Sequence, residues 1–299
     1  MPSIPRFPSC FLPAVIVLAG CLPAIGMTGA AEPFLPQASA YLTRDSWRQP
    51  VAPVRIAAHT WQIGTAGISA VLIKTDAGAV LIDGGVAQAS AMLLAHMHEL
   101  GVEPADLKLI LHSHAHADHV GPLTALKRAT GATVASNAES AVLLARGGSN
   151  DIHFGDDIVF APLVTDRIVH DGEIVTIGGI QLTVHFTPGH TPGSMSWTWN
   201  DVADGKPVRI AYVDSLSAPD YRLIGNPRYP HIIDDYRHTF DVVRTLPCDL
   251  LLTPHADGSG WDFASTTNPH PRPMGCQDYA DAAASTFEAQ LETQREAAR

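Results

Sequence analysis

The chain alternates between short apolar runs of β type and segments whose apolar residues recur at helical spacing. Three glycine-punctuated runs at 54–63, 68–75 and 79–83 predict an antiparallel opening. The other predicted strands are 107–111, 133–135, 173–177, 180–186, 194–199, 208–213 and 250–253, and the predicted helices are 87–100, 122–130, 138–146, 236–246 and 276–296. Residues 147–161 read as a long loop, of the kind that often covers a site.

Both halves of the chain follow one plan, with hairpin strands first and helix–strand units afterwards. This order predicts an α/β fold (α+β in some schemes), a four-layer αββα sandwich with pseudo-duplicated halves. No low-complexity linker interrupts the chain. We therefore expect one domain over residues 32–299.

The first thirty residues have a different character. Arg6 precedes an apolar run, and small residues follow around position 30, a pattern typical of a secretory signal peptide at 1–30. Residues 18–21 also resemble a bacterial lipobox, which would place a lipid on Cys21. A retained membrane anchor is the alternative, but prolines interrupt the run and no stop-transfer charges follow it. We expect an exported protein with no transmembrane span in the mature chain.

The amino-acid composition excludes some classes of function and favours others. Thirty acidic and nineteen basic residues give a net charge of −11, which argues against a nucleic-acid partner. Fifteen histidines direct attention to metal or acid–base chemistry. After export, Cys248 and Cys276 would remain, and an oxidising compartment favours a disulfide between them. Two buried free thiols are the alternative.

The strongest chemical signal is His114-Ala115-His116-Ala117-Asp118-His119, directly after an apolar strand. In an extended segment, side chains two residues apart share a face, so we expect His114, His116 and Asp118 to point together and His119 to project from the turn. Imidazole and carboxylate groups are good zinc ligands. His112 continues the alternation, and we interpret it as a bystander.

Two later loops present one histidine each just past a strand. His190 lies in Thr187-Pro188-Gly189-His190-Thr191-Pro192-Gly193-Ser194, and His255 follows Thr253-Pro254. These donors predict two open zinc sites, one of His114, His116 and His190 and one of Asp118, His119 and His255. Three protein ligands plus water is the arrangement of catalytic zinc.

The order His114-x-His116-x-Asp118-His119, then Gly189-His190 and later His255, resembles the metallo-β-lactamase superfamily across nearly the whole mature chain. Segments 64–69, 189–194, 212–219 and 253–255, with the single cysteine pair, resemble its subclass B3. The resemblance implies two Zn²⁺ per subunit and hydrolysis of the β-lactam amide of penicillins, cephalosporins and carbapenems by a zinc-bound hydroxide. Together with the predicted signal peptide, it implies antibiotic resistance and a periplasmic location.

The resemblance also assigns individual roles. Asp118 would be catalytic, holding the second zinc and orienting the nucleophile. Ser215 and Ser217 would bind the substrate carboxylate, and Phe154 and Ile158 would form an apolar wall. Asp83 would support a ligand histidine from behind. Relatives include monomers and tetramers, so a homo-oligomer is allowed.

Asp214 makes substrates other than β-lactams plausible. It resembles the bridging aspartate of hydrolases such as glyoxalase II and the lactonases, so a lactonase or thioesterase is the alternative function. A different class of hypothesis, an exported zinc-storing or structural protein without turnover, is disfavoured by the open three-ligand sites.

Overall fold

A computed structural model describes residues 43–299; the predicted signal peptide at 1–30 and Cys21 lie outside the described residues. Within residues 43–299 the chain forms twelve strands and six α-helices. The strands are β1 (Val54–Arg55), β2 (Thr60–Gln62), β3 (Val71–Thr75), β4 (Gly78–Ile82), β5 (Leu107–Leu111), β6 (Thr133–Ser136), β7 (Arg167–Ile168), β8 (Ile174–Ile177), β9 (Ile180–Phe186), β10 (Met195–Ala203), β11 (Lys206–Tyr212) and β12 (Leu250–Leu252). The helices are α1 (Ser90–Glu99), α2 (Ala117–Val120), α3 (Leu123–Thr130), α4 (Ala138–Ala145), α5 (Ile232–Thr245) and α6 (Cys276–Ala297).

The described strands form two sheets. Strands β1 to β7 lie in chain order in one sheet, and the other has the order β12-β11-β10-β9-β8. In each sheet an antiparallel meander is followed by parallel strands, from β4 onward in the first and at β11–β12 in the second. The repeated plan predicted for the two halves is confirmed.

The core shows how the layers stack. One cluster of buried side chains joins the facing sides of the two sheets, for example Ile82 and Leu111 with Trp197. A second packs α1, α3 and α4 on the outer face of the larger sheet, and a third packs α5 and α6 on the outer face of the smaller one. Because each sheet is apolar on both faces, one face packs against the other sheet and the opposite face is covered by helices. The predicted αββα sandwich is confirmed.

The run at 54–63 is not one strand. The chain turns back after Arg55, and Val54 pairs with Gln62 in an antiparallel register. The turn is fixed from the opposite sheet, because the buried Asp201 accepts hydrogen bonds from the backbone N–H of His59 (3.1 Å) and from Thr60 Oγ1 (2.7 Å). A partner more than 140 residues away cannot be found from local sequence patterns, which explains the error.

Other departures are smaller. Strand β7 is two residues long and was not predicted, since it exists through pairing with β6. Helix α5 begins at Ile232, one turn before the predicted start, with Asp234 and Asp235 in its first turn. Strands β10 and β11 extend to an Asp204-Gly205 turn in which both residues have positive φ, the conformation of a tight hairpin.

Helix α6 is attached at its first residue. A disulfide joins Cys276 to Cys248, 28 residues earlier and just before β12, so the predicted bond is confirmed. Cys276 is buried and belongs to the same apolar cluster as Phe287 and Leu291, farther along the helix. The bond therefore ties α6 to the strand that leads to His255. None of the helices in the described chain has the length and apolar character that crossing a membrane requires.

We expect the disulfide to contribute about 3 kcal/mol to the free energy of unfolding, because closing a loop of this length restricts the unfolded chain. Urea unfolding of a Cys248→Ser/Cys276→Ser variant measures this. Reductant should lower the midpoint of the wild-type protein and leave that of the variant unchanged. Equal midpoints for the oxidised wild type and the variant would contradict the expectation.

Candidate metal centre

Strands β4 and β5 run parallel and end at the same edge of the larger sheet, where the site begins. Asp83, directly after β4, is fully buried and has φ of 59°. Its carboxylate accepts hydrogen bonds from Ser113 N, Ser113 Oγ and Tyr212 OH, each at 2.7 Å. Burial raises the pKa of this carboxyl group. Asp83 thus holds the start of the histidine loop, and it lies 3.8 Å from His119 Nδ1, beyond hydrogen-bond distance.

The histidine motif itself changes conformation midway. His114 and His116 precede α2, whereas Asp118 and His119 lie on its first turn, where His119 N donates to His116 O at 3.0 Å. The prediction of one extended segment through Asp118 is therefore wrong after His116. The helical turn still brings the motif together, because the ring of His119 lies 4.4 Å from that of His114.

His190 is presented by a tight turn between β9 and β10. Gly189 has φ of 144°, and a Cβ there would lie 2.9 Å from the ring of Tyr236, so a larger residue would displace the turn. The carbonyl of Gly193 accepts hydrogen bonds from Asn137 Nδ2 (3.1 Å) and Ser140 Oγ (2.7 Å) at the start of α4. These contacts fix the position of the imidazole.

His255 follows β12 and is held by the segment at 64–69. Ser69 donates to Pro254 O through its N–H (2.8 Å) and to Thr253 O through its hydroxyl (2.7 Å). The ring of Trp47, from a short N-terminal turn, lies 5.0 Å from the His255 ring. No pattern around Trp47 in the sequence predicts this contact.

The predicted donors meet in two adjoining clusters. Ligand atoms of His114, His116 and His190 lie within 4.8 Å of one another, and so do those of His114, Asp118 and His119. Nε2 of His255 lies 3.5 Å from Asp118 Oδ2, and Nε2 of His119 lies 3.2 Å from the same oxygen. All six predicted ligands are therefore brought together. His112 points elsewhere, with Nε2 2.9 Å from Ser136 Oγ.

The clusters fit a metal ion. His114 Nδ1 pairs with Asp214 Oδ1 at 2.7 Å and His190 Nδ1 donates to Ser217 O at 2.8 Å, which leaves each Nε2 free to coordinate. Among the described residues, the buried Nε2 of His114 has no hydrogen-bond partner. Ligand atoms about 2.1 Å from a tetrahedral zinc are roughly 3.4 Å apart, which matches the separations around Asp118 Oδ2.

The electrostatics suit a cation. Burial lowers the pKa of His114 and of His190 well below the usual histidine range and that of His255 to about 4, so these rings present neutral lone pairs. Burial alone would raise the pKa of Asp118, but the adjacent His119 and His255 have the larger, opposite effect. The pKa of this carboxyl group is therefore below its usual range. The pKa of His119 is raised to about 8, because the Asp118 carboxylate outweighs the effect of burial. A cation that binds here replaces this proton.

A cavity of about 700 Å³ opens beside the clusters, a size typical of small-molecule sites. His116, Asp118, His190 and His255 line it, together with the predicted substrate contacts Phe154, Ile158, Ser215 and Ser217. The ring of Phe154 packs edge-on against His116 at 5.1 Å. Ser215 is buried and Ser217 is exposed at the mouth. The cavity thus joins the clusters to every substrate contact that the sequence predicted.

Comparison with known proteins identifies the family. The model of the metallo-beta-lactamase superfamily matches residues 63–202. The metallo-beta-lactamase MIM-1 from Novosphingobium pentaromativorans is 37% identical with a TM-score of 0.78, over 88% of this chain and 98% of that chain. The chain belongs to the metallo-β-lactamase superfamily. BJP-1, a subclass B3 metallo-beta-lactamase of Bradyrhizobium japonicum, is 32% identical with a TM-score of 0.76, over 85% of this chain and 98% of that chain.

Curated relatives of this superfamily member carry other names. A hydroxyacylglutathione hydrolase of Anaeromyxobacter dehalogenans is 36% identical over 170 residues, which are 52% of this chain and 56% of the relative. A probable metallo-hydrolase of Burkholderia pseudomallei is 29% identical over 190 residues, 58% of this chain and 60% of the relative. The chain spans between half and two thirds of the length of these curated relatives. The family and a hydrolase fold are therefore established, and the substrate needs its own argument.

Acid should weaken the metal-free fold through His112. Burial lowers the pKa of His112 to about 3, against about 6.5 in an unfolded chain, so below pH 6.5 the unfolded state binds one more proton here. The free energy of unfolding therefore decreases as the pH is lowered, by up to about 1.4 kcal/mol per pH unit.

The His112→Gln variant has no titratable group at this position. Its stability deficit relative to the wild type should shrink by about 1.2 kcal/mol between about pH 6 and about pH 5, as measured by urea unfolding in the presence of a chelator. His98→Gln, at an exposed position on α1, is the matched control. A deficit at His112 that does not change with pH would contradict the burial argument.

Proposed function

We propose that this protein is a zinc-dependent β-lactamase that hydrolyses the β-lactam amide of penicillins, cephalosporins and carbapenems. One observation carries the proposal: the six predicted ligands lie together, and four of them line a cavity, in a chain that matches a subclass B3 lactamase over nearly its whole length. We assign one Zn²⁺ to His114, His116 and His190 and another to Asp118, His119 and His255. Two zincs per subunit are part of the proposal.

Zinc would supply an activated water at neutral pH and an electrophile for the lactam carbonyl. The chain positions the other partners. Asp118 lines the cavity, and its carboxylate can accept a hydrogen bond from the attacking water. The anchored rings of His114 and His190 cannot rotate, because Asp214 and the carbonyl of Ser217 hold them. Such fixed geometry lowers the barrier by removing reorganisation during the reaction.

The turn after β11 would bind the substrate carboxylate. Ser215 and Ser217 both line the cavity; Ser215 is buried and Ser217 is exposed. The carbonyl of Ser217 also accepts hydrogen bonds from His190 Nδ1 and from Tyr236 OH (2.6 Å). The carboxylate site and a zinc ligand therefore move as one unit. Phe154 and Ile158 supply an apolar wall opposite.

A thioester is the second candidate substrate, because the curated relatives include hydroxyacylglutathione hydrolases. The conformation of Asp214 favours the lactam. Its Oδ1 is committed to His114 Nδ1 at 2.7 Å, so it supports a ligand from behind. A bridging role like that of the thioesterase aspartate would require a different orientation. Export to the periplasm, where β-lactams act, and a role in antibiotic resistance belong to the same proposal.

A direct comparison of substrates tests the proposal. Zinc-replete protein should hydrolyse a cephalosporin or a carbapenem with a kcat/KM roughly 100-fold or more above that for a lactone or a glutathione thioester. A chelator should abolish turnover and added zinc should restore it. Thioester turnover above lactam turnover would overturn the lactamase proposal and support the thioesterase alternative. Activity that survives metal removal would overturn the mechanism.

The ligand assignment has its own matched pair of variants. His190→Ala should lower kcat by orders of magnitude and reduce the bound zinc, because it removes one of three ligands. His98→Ala, at an exposed position on α1, should change neither quantity. Equal losses in the two variants would mean that His190 is not a ligand.

A further inference from the structure

We propose that Asp151, in the long loop over the site, is a positioning residue for His116. This inference rests on the proposed metal sites. Oδ2 of Asp151 lies 3.7 Å from Nε2 of His116, and both side chains are buried, with 3% and 7% of their surfaces exposed. No pattern in the sequence predicts a role for Asp151.

The other two ligands of the same predicted zinc show why such a partner is needed. His114 and His190 each have Nδ1 fixed by a protein oxygen at 2.7–2.8 Å. A metal-ligating imidazole almost always donates its second N–H to a carboxylate or carbonyl, which fixes its tautomer and its orientation. Within the described residues, the buried Nε2 of His116 has no hydrogen-bond partner, and Asp151 is the carboxylate beside it. With Nε2 directed at Asp151, Nδ1 is left to coordinate.

Asp151 is itself rigidly held. Its Oδ1 accepts hydrogen bonds from the N–H groups of His153 (2.7 Å) and Phe154 (2.9 Å), so the carboxylate cannot swing away. Its backbone exchanges two hydrogen bonds with Gly155, at 2.8 and 3.0 Å. These four bonds make residues 151–155 a closed turn, which we call the Asp151 turn.

The Asp151 turn is also held by the segment between β11 and α5. Arg228 donates through Nη1 to Asp151 O at 2.9 Å and through Nη2 to Asn150 O at 2.8 Å. The turn presents its carboxylate to one ring nitrogen of His116 and the Phe154 ring, at 5.1 Å, to the same imidazole. One rigid unit thus sets the orientation of a zinc ligand and the apolar wall for the substrate. A displacement of the loop would therefore change metal binding as well as substrate binding.

The test compares two carboxylates of one loop. Asp151→Asn keeps an acceptor for the turn and removes the charge that faces His116. Asp156→Asn alters a carboxylate that accepts from Ser149 Oγ and Asn150 N, is exposed, and does not line the cavity. Co²⁺ titration of the metal-free full chain, followed by visible absorption, reports affinity and ligand geometry without any substrate.

We expect Asp151→Asn to weaken Co²⁺ binding at one site 10–100-fold and to change its visible spectrum. Asp156→Asn should match the wild type in both respects. Wild-type affinity and spectrum in Asp151→Asn would overturn the proposal, and so would equal losses in the two variants, which would indicate a general loop defect.

A measurement on the wild type keeps the proposal testable if Asp151→Asn fails to fold. Nitrogen NMR of the zinc-loaded protein should show a slowly exchanging ring N–H at Nε2 of His116; a rapidly exchanging or absent signal would overturn the proposal. These outcomes are independent of substrate. A protein that binds both metals and hydrolyses no β-lactam would refute the proposed function and leave the role of Asp151 standing.

Discussion

The candidate site imposes one physical constraint: within residues 43–299, several imidazoles are buried together and have ring nitrogens without a hydrogen-bond partner. Burying polar groups without partners is costly, and a cluster of such groups persists only when the surrounding structure holds it or an ion completes it. Here both sheets contribute, because β5 leads to His114, β9 to His190 and β12 to His255. The two halves of the sandwich therefore meet at the candidate metal centre, which lies where these three strands end.

The groups that hydrogen-bond to the predicted ligands fix the orientation of those ligands. Asp83 ties the histidine loop to Ser113 and Tyr212, and Asp214 and the carbonyl of Ser217 fix two ring tautomers. Asp151 extends this shell to His116 from the loop over the cavity. Since the same elements carry the proposed carboxylate site and the apolar wall, metal binding and substrate binding share one framework. This sharing accounts for a rigid site that includes a long irregular loop.

Most of the fold could be predicted because its signals are local. Alternating apolar runs and helix-ending glycines identified the sandwich, and the motif from His114 to His119, with the histidines just past two later strands, identified all six donors that the structure brings together. The errors lie where distant contacts decide the conformation. The turn at His59 depends on Asp201, β7 exists through β6, and α2 rotates Asp118 onto a helical turn. Asp151 escaped notice for the same reason, since a lone carboxylate in a loop carries no pattern and acquires its meaning from His116.

Diffraction at the zinc absorption edge, from crystals grown with zinc, tests the central claim most directly. The account predicts two anomalous peaks, one contacted by His114, His116 and His190 and the other by Asp118, His119 and His255. A single peak would remove the two-metal mechanism. Absence of both peaks, with the imidazoles turned away from one another, would contradict the account as a whole.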